Sequence, residues 1–311
     1  MRIIFFGTPE FAVLPLKSLI NAGHKVLAVV TQPDRESGRG RHIVLSPVKI
    51  EAQSAGLEIL QPQNIRDAAF IENVRALNPS VIVVVAYGKI FPPEIIHLPE
   101  SGCVNVHASL LPKYRGAAPI NWAIINGAKK TGITTMLMDE GMDTGPVLLQ
   151  EETGIKADDT AGSLSVRLSK TGVDVLAQTL KKLEEGNLRP VPQAGDVSYA
   201  PVLKKADGII SWSKPADELC DFIRGMNPWP GACSFLGNER IKFLKAVSKE
   251  GDAGAGMIMK VSKSELLIGT GKGLLSILEI QPAGKPLMTV RAFLQGRAIK
   301  EGVKFHEQGQ V

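Results

Sequence analysis

Val81-Ile82-Val83-Val84-Val85-Ala86 is apolar at every position, with no alternation of polar and apolar residues. A strand with one wet face alternates, whereas one that is apolar throughout has to be covered on both sides, as the central strands of parallel sheets are. The neighbouring sequence agrees. Residues 2–6 and 25–31 read as further strands, with helices over 9–22, 47–55 and 67–77 and a short strand at 58–60 between them. Beyond the central strand, residues 102–107 form the next one, 132–139 and 147–152 suggest a hairpin about residues 141–145, and 159–185 reads as a long helix capped by Thr160. Strand and helix alternating in this way predict βαβ units, hence a Rossmann-like α/β domain with a mostly parallel sheet over residues 1–188.

Past that helix the periodicity stops. Pro190, Pro192, Gly195 and Pro201 mark a linker over residues 189–206. Residues 207–311 then give one helix, 215–226, and short strands at 240–247, 256–261, 265–269 and 273–281, which predict a small OB-like β-barrel. From Lys205 onward there are 15 Lys or Arg against 11 Asp or Glu, out of a chain total of 36 against 31. That excess suits weak attraction to a polyanion, and equally a solvated surface. No apolar run approaches the ~20 residues of a membrane span, and the apolar start is shorter than the roughly 7 to 15 residues of a signal-peptide core. Cys103, Cys220 and Cys233 have no CxxC spacing. The expectation is a cytoplasmic protein with structural thiols.

Chemistry collects where the strand Cys103-Val104-Asn105-Val106-His107 runs into Ala108-Ser109-Leu110-Leu111-Pro112-Lys113-Tyr114-Arg115-Gly116. Residues two apart on a strand share a face, so Asn105 and His107 project together, an amide donor beside a titratable imidazole. Asp143, in the hairpin turn, is placed to join them at the carboxyl ends of the strands. A Ser109-His107-Asp143 triad fails on form, because no G-x-S-x-G elbow is present and the serine lies two residues from its own base. One His with one or two carboxylates is too few ligands for a metal site, so no metal is expected. Two readings stay open: a structural Asn/His pair, or acyl transfer without a protein nucleophile, in which Asn105 stabilises an oxyanion and His107 and Asp143 handle the proton. Gly7-Thr8-Pro9-Glu10 occupies the position of a dinucleotide fingerprint but has one of its glycines, and Pro9 and Glu10 obstruct a pyrophosphate, so no dinucleotide is expected.

Asn105-Val106-His107, Ser109-Leu110-Leu111-Pro112 followed by Arg115-Gly116, and Asp143-Thr144-Gly145 resemble the formyltransferase family that uses 10-formyltetrahydrofolate. Phe6-Gly7-Thr8-Pro9-Glu10-Phe11, Thr31-Gln32-Pro33-Asp34, Gly38-Arg39-Gly40, Val85-Ala86-Tyr87-Gly88, Arg115-Gly116-Ala117-Ala118-Pro119-Ile120 and Asn227-Pro228-Trp229-Pro230 are similar to the branch acting on methionyl-initiator tRNA. The resemblance spans nearly the whole chain. It implies a catalytic domain over residues 1–188 and a tRNA-binding domain over 207–311, acting as a monomer. By the same resemblance Asn105, His107 and Asp143 are catalytic. Ser109, Leu110, Leu111, Pro112, Tyr87, Gly88, Ile90 and Asp139 contact the folate, and Arg35, Arg39, Arg41 and His42 contact tRNA. Three arginines among glycines suit that last role, since such a loop bends close to phosphates.

Overall fold

The computed structural model describes residues 1–37 and 42–309. The chain folds as two units, one made of Met1–Pro119, Lys130–Gly154 and Ser165–Pro201, the other of Ile120–Lys129, Ile155–Leu164 and Val202–Val311. In the first unit the strands are β1 (Arg2–Gly7), β2 (Lys25–Val30), β3 (Arg35–Ser37), β4 (His42–Val44), β5 (Ile59–Leu60), β6 (Val81–Val85), β7 (Cys103–His107), β8 (Lys130–Leu137) and β9 (Val147–Gly154). Seven of them form one sheet in the order β5-β2-β1-β6-β7-β8-β9, parallel from β5 to β7 and antiparallel across β8 and β9. The strand order reverses between β1 and β6, the position at which a doubly wound sheet opens a crevice.

The helices are α1 (Val13–Asn21), α2 (Pro47–Ser54), α3 (Ala68–Ala76), α4 (Pro93–Ile96), α5 (Pro119–Ile125), which is in the second unit from Ile120, and α6 (Ala161–Glu184), which is in the first from Ser165. Ile71 and Val74 of α3 and Ile95 and Ile96 of α4 pack with Ile4, Phe6, Ile82, Val84 and Cys103 on one face of the sheet. On the other face α6 comes close at Gly172, where an added Cβ would lie 3.4 Å from Val106. Both faces of β6 are covered, which accounts for its unbroken apolar sequence.

Residues 35–37 and 42–44, which the sequence reads as part of the arginine loop, instead pair as the ribbon β3–β4, with Arg35 opposite Val44 and Glu36 opposite Ile43. Charged residues on one strand hide the β-branched signal of the other. Its base is clasped: Thr31 Oγ1 and Ser46 Oγ lie 2.8 Å apart, and Lys49 Nζ donates to Asp34 Oδ2 at 2.5 Å and to Gln61 Oε1 at 2.7 Å. The Lys49 bond, with a second from Gln61, holds the Asp34 carboxyl below the usual carboxylate value. A carboxyl that titrates lower folded than unfolded stabilises fully above the unfolded value and loses that contribution as pH falls through the folded one. The gap in thermal midpoint between wild type and Asp34→Asn should therefore be small at neutral pH and shrink as pH falls below the usual carboxylate value of about 3.9. Melts across that range check it.

The second unit adds α7 (Ala216–Gly225), β10 (Ala232–Leu236), β11 (Glu239–Lys249), β12 (Ile258–Val261), β13 (Leu266–Gly269), β14 (Leu274–Pro282), β15 (Met288–Thr289), α8 (Val290–Gln295) and β16 (Phe305–His306). Six strands run antiparallel in the order β12-β13-β14-β11-β10-β16. The Ile258 N–H donates to Val303 O and the Phe305 N–H to Gly256 O, each at 2.8 Å, so the two ends of the sheet meet as a small barrel. Trp212, Phe243 and Phe305 fill it with ring centroids 5.4 to 5.8 Å apart. Among the described residues no helix is long and apolar enough to cross a membrane.

Candidate active site

Register decides where the polar groups of β7 point. Val84 of β6 is the neighbour of Asn105, and across the other edge Asn105 faces Met136 and His107 faces Thr134. Val106 lies on the α6 side, so Cys103, Asn105 and His107 take the opposite face by alternation, with Cys103 inside the apolar cluster. Asn105 is half-buried and His107 is buried, and partners meet both.

Asp143 reaches them from the β8–β9 turn. Its backbone is left-handed at φ 53°, and its Oδ2 accepts the Gly116 N–H at 2.7 Å and lies 3.7 Å from His107 Nδ1. Its Oδ1 accepts from Asn105 Nδ2 at 3.4 Å. The other imidazole nitrogen, Nε2, is 3.0 Å from the carbonyl oxygen of Tyr114, itself left-handed at φ 59°. A carbonyl only accepts, so Nε2 carries hydrogen and Nδ1, facing the carboxylate, is the position left for exchanging a proton. Amide donor, imidazole and carboxylate thus converge on one point, a set able to stabilise a developing oxyanion and to relay a proton.

The segment that follows β7 is fixed from behind. Ser109 Oγ donates to Lys113 O at 2.5 Å, which leaves it off His107 and removes the serine-triad reading. Thr134 Oγ1 donates to Ser109 O at 2.6 Å and accepts the Leu111 N–H at 3.1 Å, while Gln150 Nε2 donates to Leu111 O at 2.8 Å. Leu111 and Pro112 are buried, joined by a cis peptide, and Leu110 is half-buried. Asp139 caps its own turn, its Oδ1 accepting from the Gly141 N–H at 3.1 Å and from Thr144 Oγ1 at 2.7 Å.

Tyr87 and Gly88 line a different space, a cleft of about 520 Å³ beyond β1, β2 and β6 that also touches Thr8, Gln32, Arg35 and Lys89. None of Asn105, His107 and Asp143 lines it. The Tyr87 ring packs against Phe6 and Phe91, and burial pushes its phenol up to about 12. Ile90 is exposed, as is Arg35 on β3; His42 opens β4, and Arg39 and Arg41 lie outside the described residues. Two site groups escape a sequence reading, the Tyr114 carbonyl and the Gly116 N–H, because both belong to the backbone.

Residues 1–180 match the family described as Formyl transferase, and residues 202–298 match its C-terminal domain. Over 301 residues the chain is 52% identical to the methionyl-tRNA formyltransferase of Thermodesulfovibrio yellowstonii, covering 97% of each. It is 52% identical over 306 residues to that of Caldanaerobacter subterraneus, covering 97% of this chain and 99% of the relative. The chain belongs to the methionyl-tRNA formyltransferase family. Membership in that family makes it an enzyme of formyl transfer. Solved structures share the fold. A methionyl-tRNA formyltransferase from Clostridium thermocellum superposes with a TM-score of 0.58 at 23% identity, covering 80% of this chain and 94% of the other. An N-formyltransferase from Helicobacter canadensis, solved with folinic acid and dTDP-3-aminofucose, gives 0.65 at 18% identity over 88% of this chain and 98% of its own.

Proposed function

We propose that the chain transfers the formyl group of 10-formyltetrahydrofolate to the free α-amino group of methionyl-initiator tRNA, producing N-formylmethionyl-tRNA for translation initiation in the cytoplasm. The observation that supports this best is the Asp143 carboxylate, which meets Asn105, His107 and the Gly116 N–H in a chain matching methionyl-tRNA formyltransferases along 97% of its length.

Asn105, His107 and Asp143 carry the reaction. The amine of the methionyl ester has to shed a proton before its lone pair can attack the formyl carbon, and His107 Nδ1 is the base within the constellation. Asn105 Nδ2 spends one hydrogen on Asp143, and the second meets the negative charge that develops on the formyl oxygen. Asp143 balances the imidazolium that forms and orients the ring, while the Tyr114 carbonyl holds its far side. After attack the amine nitrogen still carries two hydrogens; one of these leaves to bulk water, the bond to the folate nitrogen breaks, and His107 returns its proton to that nitrogen, so the net reaction releases one proton to solvent. No oxidation state changes, so no dinucleotide takes part, and these proton movements require no metal.

Ser109, Leu110, Leu111 and Pro112, with Tyr87, Gly88, Ile90 and Asp139, receive the folate. Arg35, Arg39, Arg41 and His42 contact the acceptor arm, residues 1–188 catalyse, and 207–311 bind tRNA past the 189–206 linker, in a monomer. Supplying the protein with 10-formyltetrahydrofolate and either charged initiator tRNA or a nucleotide-linked amino sugar tests the reading: formyl has to appear on the tRNA, and transfer to the sugar alone reassigns the acceptor. Replacing Arg39 and Arg41 by Ala should raise KM for tRNA and reduce its dependence on log salt by roughly one unit of slope for each phosphate that is no longer neutralised, leaving folate binding unchanged. Rates measured across a salt series check it.

A further inference from the structure

The proline-rich stretch after α6 does more than connect. Val191 and Val147 exchange N–H···O bonds at 2.8 Å, the Arg115 N–H donates to Ser198 O at 2.9 Å, the Tyr114 N–H donates to Ser198 Oγ at 2.9 Å, and the Ala200 N–H donates to Arg115 O at 2.7 Å. One strap is therefore bonded both to the loop that holds Tyr114 and Gly116 and to Val147, the first residue of β9 after the turn that holds Asp143. Between its two points of attachment lies Gln193.

Every hydrogen-bonding position of the Gln193 amide is in use. Nε2 donates to Asp143 O and to Gly145 O, each at 2.8 Å, and Oε1 accepts from Arg115 Nε at 3.1 Å and Nη2 at 2.6 Å. The partners fix which end is which, since two carbonyls need N–H groups and a guanidinium needs an oxygen. Asp143 sits at φ 53°, a backbone state that an L side chain keeps only when its surroundings hold it. Here the hold is on its own carbonyl. The turn is also crowded, since a Cβ on Gly145 would fall 1.8 Å from Leu137 O, so the residues flanking Asp143 have no slack with which to find the same carboxylate position by another route.

We infer that Gln193 is a positioning residue for formyl transfer: it clamps the turn of Asp143 onto Arg115 and thereby keeps the carboxylate between Asn105, His107 and the Gly116 N–H. The inference rests on Asp143 acting in the reaction. No atom of Gln193 lies among the hydrogen-bonding partners of Asn105 or His107, so it reaches the reacting groups by way of the Asp143 turn and of Arg115. Without the amide, two carbonyls and one guanidinium lose their partners together and the turn relaxes. Misplacement of a reacting group by about 1 Å costs on the order of 10²-fold in rate.

Gln193→Ala should lower kcat by about 10- to 100-fold and change KM for either substrate by no more than about twofold. Gln193→Glu nearly preserves shape and keeps an acceptor for Arg115, but sets an oxygen against two carbonyls. It should lose as much, and it answers the question if the alanine variant does not fold. The decisive measurement is the double variant: Asp143→Ala with Gln193→Ala should be no slower than Asp143→Ala alone, because a clamp has nothing to act on once the carboxylate is gone. Multiplying losses, or a Gln193→Glu enzyme with wild-type kcat, overturn the inference. Wild-type turnover in Asp143→Ala removes the assignment of the site itself, and a slow Asp143→Ala beside a fast Gln193→Glu removes the clamp only.

Discussion

His107→Ala and Asn105→Ala should bind folate like wild type and turn over about 10² to 10³ times more slowly, within the usual cost of removing a general base in the first and an oxyanion donor in the second. The two losses have different origins. His107 uses Nε2 to hold the Tyr114 carbonyl and has Nδ1 toward Asp143, so alanine removes both the proton acceptor and the group that positions it. Asn105 contributes an amide hydrogen, and its other bond, to Asp143, is long at 3.4 Å. Asn105→Asp is the sharper companion, because it keeps the shape while setting a second carboxylate against Asp143, and it should be at least as slow as the alanine variant. Steady-state turnover beside equilibrium folate binding separates chemistry from affinity. Turnover close to wild type in either alanine variant would remove the trio from the mechanism.

Much of this architecture is legible before folding is considered, and the illegible parts share a physical cause. β6 is readable because burial on both faces forces an unbroken apolar run, and the Asn105/His107 pair is readable because strand geometry puts alternate residues on one face. Asp143 is only positionally suggestive, since a turn residue has no periodicity to betray its direction; resemblance, not spacing, singles it out. The Tyr114 carbonyl and the Gly116 N–H carry no side-chain signature. Gln193 is 50 residues from Asp143, in a stretch whose prolines suppress regular structure, and nothing local tells that an amide there closes a network. The β3–β4 ribbon is hidden because Arg35 and Glu36 pair with Val44 and Ile43, so neither strand alternates cleanly. Trp212, an aromatic suited by its type to stacking on bases, is buried against Phe243 and Phe305 and donates its Nε1 hydrogen to Ser234 Oγ at 2.9 Å.

Gly116→Ala, one carbon added outside the reacting groups, should lower kcat by about 100-fold, close to the loss from deleting a side chain of the trio. Gly116 sits at φ 117°, where an L residue is strained, and a Cβ there would lie 2.7 Å from the carbonyl oxygen of Ala200. That oxygen has no freedom to retreat: it accepts the Ala118 N–H at 3.1 Å, and the Ala200 N–H donates to Arg115 O at 2.7 Å. Relief has to come from moving Gly116, whose N–H holds Asp143 Oδ2 at 2.7 Å, so the steric conflict is passed to the carboxylate. Strain of about 1 to 3 kcal/mol should also lower the thermal midpoint by several degrees, at roughly 2 to 4 °C per kcal/mol for a domain of this size. Gly186 supplies the control, being left-handed at φ 66° with open space where its Cβ would stand. Gly186→Ala should lower the midpoint through strain while kcat stays within about twofold of wild type, since nothing in its surroundings transmits the change to the site. If Gly116→Ala retains wild-type kcat, the Gly116 N–H does not set the carboxylate; if both variants lose turnover equally, the loss comes from global destabilisation and the positioning account fails.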